Sequence, residues 1–159
     1  VRISVPEGWA EDAGHEPKGT LVLAVGNGAD MHAQVHYYAD DGNGYTAKDF
    51  LDMAAQDYFR GYIVDKAQEI QLGENAAAYF GYSMPGRDED GNSCVYRGYE
   101  YFISFGVDVV EVDIFCRYAT TAATDGQPAA AASAQPDAAP TSKQLALLRS
   151  IAESVQRGA

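Results

Sequence analysis

Apolar and polar residues alternate cleanly over Met31–Ala39: Met31, Ala33, Val35 and Tyr37 point one way, His32, Gln34, His36 and Tyr38 the other. A period of two marks a strand with one face on a core. The same rhythm, or a short apolar run bounded by turn residues, predicts strands at Arg2–Val5, Thr20–Val25, Asp65–Gly73 and Ala76–Met84. Pro6 closes the first of these, because proline cannot donate to a ladder. Gly26-Asn27-Gly28 and Gly73-Glu74-Asn75 read as turns, and Asp40–Gly44 and Pro85–Ser93 as loops.

Two stretches change period. Ala47, Phe50, Leu51, Ala54, Tyr58 and Tyr62 recur at helical spacing behind Thr46 and Asp49, a variant capping box, so the spacing predicts a helix over 46–62. Thr141 and Gln144 form a second box, followed by the stripe Leu145, Leu148, Ile151, Ala152 and Val155, predicting a helix over 141–157.

The longest β-rich stretch is Cys94–Tyr118, two runs meeting at Phe105-Gly106. A hairpin turning over Ser104, Phe105 and Gly106 sets Cys94 opposite Cys116, Tyr96 opposite Ile114, Gly98 opposite Val112 and Glu100 opposite Val110. Opposed Cα atoms about 4.5 Å apart suit a disulfide, so this register predicts a Cys94–Cys116 bridge and an oxidising compartment. The alternative is two buried free thiols.

Three strands, a helix, four strands, a linker and a helix predict an α+β fold. It is an antiparallel meandering sheet of about six to seven strands, sandwiched between a mid-chain and a C-terminal helix. Residues 1–119 would hold the sheet and the first helix, and 141–157 would pack back on the same domain. Residues 120–140, dominated by Ala, Thr, Ser, Gln, Asp and Pro, have no large apolar side chain to bury and read as a linker.

A length of 159 residues suits a single domain. The formal charge of −12 argues against nucleic acid and anionic membrane surfaces, which reward clustered Lys and Arg. No apolar run approaches the ~20 residues of a membrane span. The chain starts at Val1 without an initiator Met, which reads as a mature or trimmed chain from which any targeting segment has been removed, with a lipid anchor upstream of Val1 left open.

The opening ISVPEGW, the helix starting at TAKDFLDMAAQ, the two meandering hairpins and the final helix near TSKQLALLRSIAESV resemble the PsbP-like fold. That family includes bacterial secreted proteins and lipoproteins as well as the photosystem II extrinsic subunit. The resemblance implies an antiparallel sheet between helices, an extracytoplasmic location in bacteria, and binding to or assembly with another envelope protein. It carries over no catalytic residues, and the Ala/Pro segment departs from a compact family member.

Candidate chemistry is sparse. His32 and His36 share a strand face but stand roughly 13 Å apart, too far to chelate one metal. Cys94 and Cys116 without a neighbouring His supply too few ligands for zinc. Asp88, Asp90 and Asn92 resemble part of a cation-binding loop, although Tyr99 stands where an EF-hand needs its bidentate Glu. Tyr79, Tyr82, Tyr96, Tyr99, Tyr101 and Tyr118 fall on strands, either as packing or as a tyrosine-lined ligand or partner groove. Ser83, Ser93 and Ser104 lack nucleophile-elbow glycines, and Gly26-Asn27-Gly28 lacks the spacing of a phosphate-binding loop, so no catalytic residue and no cofactor is expected. Glu111 and Asp113 could share acid–base work, but on a strand they read as its solvent face. The resulting expectation is a non-enzymatic extracytoplasmic binding or assembly module of the bacterial cell envelope. A small-molecule or cation-binding module is the alternative.

Overall fold

Strand alternation divides the interior into two layers, one on each side of a single sheet. A computed structural model of the chain describes residues 1–12, 18–88, 90–119 and 140–156. Its elements are β1 (Ala10–Glu11), β2 (Leu21–Gly26), β3 (Met31–Tyr38), α1 (Ala47–Gln56), β4 (Ile63–Leu72), β5 (Asn75–Arg87), β6 (Ser93–Phe105), β7 (Asp108–Ala119) and α2 (Ser142–Ala152). The seven strands form one antiparallel sheet in the order β1-β2-β3-β7-β6-β5-β4. The fold is α+β, with one helix on each face of the sheet. The linker expected over 120–140 lies outside the described residues, Pro140 excepted. No helix among the described residues is long and apolar enough to cross a membrane.

The α2 face holds the larger cluster. Val35, Tyr101, Ile103, Val110, Val112 and Ile114 meet Leu148, Ile151 and Ala152 of α2. Burying an aliphatic side chain of this size contributes about 1.5–3 kcal/mol. Arg149 seals the rim, its guanidinium 4.9 Å from the Tyr79 ring centroid and its Nε donating to the Tyr101 hydroxyl at 3.2 Å. On the other face Ala47 and Leu51 of α1 pack on Ala78, Phe80, Phe102 and Val109. Both capping boxes form, Thr46 with Asp49 and Thr141 with Gln144, so each helix begins where the sequence predicts. Ser104 Oγ accepts a further bond from the Ala47 N–H at 3.0 Å, tying the start of α1 to the sheet.

Three expectations are corrected. Arg2–Val5 is not a strand: Arg2 forms an isolated bridge with Gln156, and the Ser4 N–H donates to Ser154 Oγ. β5 runs past Met84 through Pro85 to Arg87. It can do so because β4 pairs with β5 only as far as Tyr82, so the missing proline donor faces an unpaired edge.

The third correction is the hairpin register. Phe105 pairs with Asp108, leaving a two-residue turn of Gly106 and Val107. Gly106 has φ 70° and, among the described residues, no non-glycine residue has positive φ, the pattern of a type II′ turn that matches strand twist. Cys94 therefore faces Ala119, and Cys116 faces Arg97. The offset from the expected register is an odd number of residues, which moves side chains to the opposite face. Cys116 belongs to the α2-side cluster, whereas Cys94 shares the α1 side with Tyr96. The sheet separates them, and both are free, buried thiols.

Two outcomes follow from this packing. In the unfolded, unreduced protein both cysteines should react with a thiol reagent. In the native protein neither should react readily, since burial pushes the Cys116 thiol up to about 12. Unreactive cysteines in the unfolded chain would contradict the register. A Cβ at Gly98 would meet the Ile114 carbonyl and the Phe115 side chain, so Gly98→Ala should cost about 2–3 kcal/mol in urea denaturation. An unchanged midpoint would show that the strands do not approach so closely.

Candidate functional site

Two rows of side chains cross the α1 face of the central strands. One runs Gln34, Asp113, Glu100, Phe80 and the next His32, Phe115, Gly98, Tyr82, each residue directly opposite its neighbours on β3, β7, β6 and β5. Gly98 leaves the second row open for Phe115, whose ring meets Tyr96 edge-on at 5.3 Å and stacks on His32 at 5.2 Å. Tyr96 in turn lies over Gly86, where a Cβ would strike its ring, and its hydroxyl donates to the Arg87 carbonyl at 2.8 Å.

The β3 and β7 ends of these rows, at Gln34, Asp113, His32 and Phe115, stay half-buried because α1 stops at Gln56, short of the expected Tyr62. The apolar stripe of a continued helix would turn Tyr58 inward. Instead the chain turns after Asp57 and inserts Phe59, 5.1 Å from the Phe80 ring and 4.7 Å from Tyr82, leaving Tyr58 68% exposed. A phenyl ring fills this gap without a buried hydroxyl that would need a partner. The early stop leaves a cleft of about 410 Å³, walled by Phe59, Tyr96 and Phe115, floored by Tyr82 and Asp113, with Arg87 and Arg117 also lining it. A wider hollow of about 600 Å³ lies between the Gly73 and Gly106 turns and residues 153–156, but turns rather than convergent side chains frame it.

Beneath the cleft lies a carboxyl cluster. Glu100 is 2% exposed and shares hydrogen bonds with Glu111 and Asp113. The Tyr82 hydroxyl donates to Asp113 at 2.5 Å and the Tyr38 hydroxyl to Glu111 at 2.6 Å. Burial, then the neighbouring carboxylates, push Glu100 well above the usual carboxylate range, favouring its protonated form. Asp113 is pushed up to about 7, chiefly by burial, with the Tyr82 hydrogen bond opposing the shift. Burial also raises the Tyr38 and Tyr82 phenols, which remain hydrogen-bond donors. Glu111 and Asp113 thus do not form a solvent face, as alternation alone suggests; they line the layer beneath α1 and its cleft.

The sheet divides the tyrosines. Tyr82 and Tyr96 belong to the cleft side, whereas Tyr79, Tyr99 and Tyr101 lie on the α2 side, where Tyr79 and Tyr101 stack at 4.6 Å. They do not form one groove. His32 joins the cleft near Asp12 (3.6 Å), while His36 Nδ1 meets Thr20 Oγ1 at 3.1 Å. In the acidic loop, Asp88 accepts the Asp90 and Asn92 backbone N–H groups and the Asn92 side-chain amide. Those bonds, led by the Asn92 side chain, hold Asp88 below the usual carboxylate range. Its oxygens serve the turn, and among the described residues no three His, Cys, Asp or Glu side chains are grouped to hold a metal.

Compared with known protein families and with curated proteins, the chain finds no match in either.

The carboxyl cluster makes stability depend on pH with an unusual sign. Asp113 and Glu100 have folded pKa values raised above their unfolded ones, so the native state binds more protons than the unfolded state. The stabilising contribution of Asp113 is full below about pH 4 and is lost as pH rises through about 7, and Glu100 acts in the same direction. Denaturant titrations should show a loss on the order of 2–4 kcal/mol between about pH 5 and about pH 8. Glu100→Gln and Asp113→Asn should flatten that slope, whereas repulsion from the overall negative charge would persist in both variants. An equal slope in wild type and variants would contradict the shared-proton cluster.

Proposed function

We propose that the protein is a binding or assembly module of PsbP-like architecture, acting outside the cytoplasm in the bacterial cell envelope, and that the α1-face cleft is its binding site. The observation that carries this reading is the cleft itself: about 410 Å³ of concave space, walled by aromatics and floored by one carboxyl. Its volume falls within the ~300–1,000 Å³ of small-ligand sites. It suits a small molecule or one projecting group of an envelope partner better than a broad protein face. ISVPEGW, the order of elements and the helix–sheet–helix layering support the PsbP-like placement. The extracytoplasmic location draws on that resemblance alone, because unpaired cysteines give no argument for an oxidising compartment.

A second reading rests on Asp113. A carboxyl titrating near neutrality beside an open cleft suits general acid–base work. Among the described residues lining the cleft there is no Ser, Thr, Cys or Lys to act as a nucleophile, and binding is the better-supported reading.

Thermal melts across sugars, lipids and metabolites, with calcium and with chelator, test the binding reading. A ligand at ~100 times its dissociation constant adds about 2.7 kcal/mol, or several degrees. Gln34→Trp would fill the cleft from a half-buried strand position. At least one compound should raise the melting temperature of the wild type and not of this variant. No shift across the panel, or a shift that survives the variant, would contradict the assignment.

A further inference from the structure

We propose that the α1-face cleft takes a small organic ammonium ion, its nitrogen seated over the Asp113 carboxyl and its apolar body between the aromatic walls. The inference rests on the cleft being the binding site.

Charge balance supplies the first reason. Glu100, Glu111 and Asp113 converge beneath the cleft, and the groups that answer them, Tyr38 and Tyr82, donate hydrogen bonds without carrying positive charge. The described residues include no Lys, Arg or His in an ion pair with any of the three. Holding carboxyls away from water without a cation is costly, and this chain meets the cost by retaining a proton. Asp113 is the member of the cluster that lines the cleft, so a cation arriving there reaches the cluster directly.

The walls supply the second reason. Phe59, Tyr96 and Phe115 present aromatic surfaces around that carboxyl, and ring faces attract cations as well as apolar groups. Tyr96 and Phe115 stand 5.3 Å apart, edge to face, with the Tyr96 ring over Gly86 and the base of the Phe115 side chain against Gly98. An anion would meet the carboxyl floor and be repelled, and a neutral molecule would gain the walls alone. Arg87 and Arg117 also line the cleft and disfavour a cation beside themselves, which orients an ammonium toward Asp113.

A charge series tests this: tyramine, 4-ethylphenol and 3-(4-hydroxyphenyl)propionate share a ring and differ in the charge of the tail. NMR titration at neutral pH should show tyramine binding about tenfold tighter than 4-ethylphenol, with the propionate weakest. Shift changes should centre on Asp113, Tyr96 and Phe115. Asp113→Asn should erase the tyramine advantage while leaving 4-ethylphenol unchanged. Gln34→Lys, which sets a competing ammonium directly opposite Asp113, should do the same by a different route and guards against a misfolded Asn variant. Equal or better binding of the neutral or anionic compound in the cleft overturns the ammonium proposal and leaves the binding site standing. A tyramine advantage that survives both variants, or no tyramine binding at all, also overturns it. Failure of the binding reading itself would instead show as an empty melt panel, or as shifts that persist in Gln34→Trp.

Discussion

The two-residue turn at Gly106-Val107 is the constraint on which the rest of the sheet depends. With Gly106 at φ 70° in a two-residue turn, Phe105 faces Asp108, and every pair along β6 and β7 is then set. Asp108 reinforces the turn from outside, accepting the Tyr37 hydroxyl at 2.7 Å and the Asp40 N–H at 3.1 Å. That ties β3 and the loop before α1 to the same point. Because strand side chains alternate, one register decides both what each face carries and what it hides.

On the α2 side this register gathers an apolar layer that α2 closes with Leu148 and Ile151. On the α1 side it gathers Glu100, Glu111 and Asp113, a costly arrangement that the chain tolerates through a retained proton and two phenol donors. α1 covers the apolar half of this face and stops before the polar half. Phe59 marks the boundary by filling the gap over Phe80 and Tyr82. The cleft is thus a product of a helix that ends early over strands whose register has already placed a carboxyl at its floor. Gly86 and Gly98 complete it, the first making room for the Tyr96 ring and the second for the Ile114 carbonyl and the base of the Phe115 side chain.

Much of the fold was legible in the sequence. Thr46 with Asp49 and Thr141 with Gln144 mark both helix starts, and the alternation from Met31 onward marks β3 and its inward face. Hairpin register was not legible from strand composition, because a one-residue change in the loop redistributes all the pairs; the glycine that permits a two-residue turn was the available signal. The end of α1 was hidden for a different reason. Tyr58 and Tyr62 continue the helical period, and only the cost of burying a hydroxyl against Phe80 favours Phe59 in their place. Glu100 was missed because a charged residue on a strand reads as solvent-facing. Its setting in GYEYF, between aromatics on strands that lie centrally in the sheet, was the clue that both faces would be covered. The acidic loop and the cross-strand cysteines attracted attention as motifs, yet the one is satisfied by its own backbone and the other is split by the sheet.

Cross-strand contacts between backbone protons, read by NMR, test this register most directly. The hairpin described here predicts contacts joining the backbones of Glu100 with Asp113 and Tyr101 with Val112. Contacts joining Cys94 with Cys116 and Glu100 with Val110 would contradict it, and with it the carboxyl cluster and the cleft floor that depend on it.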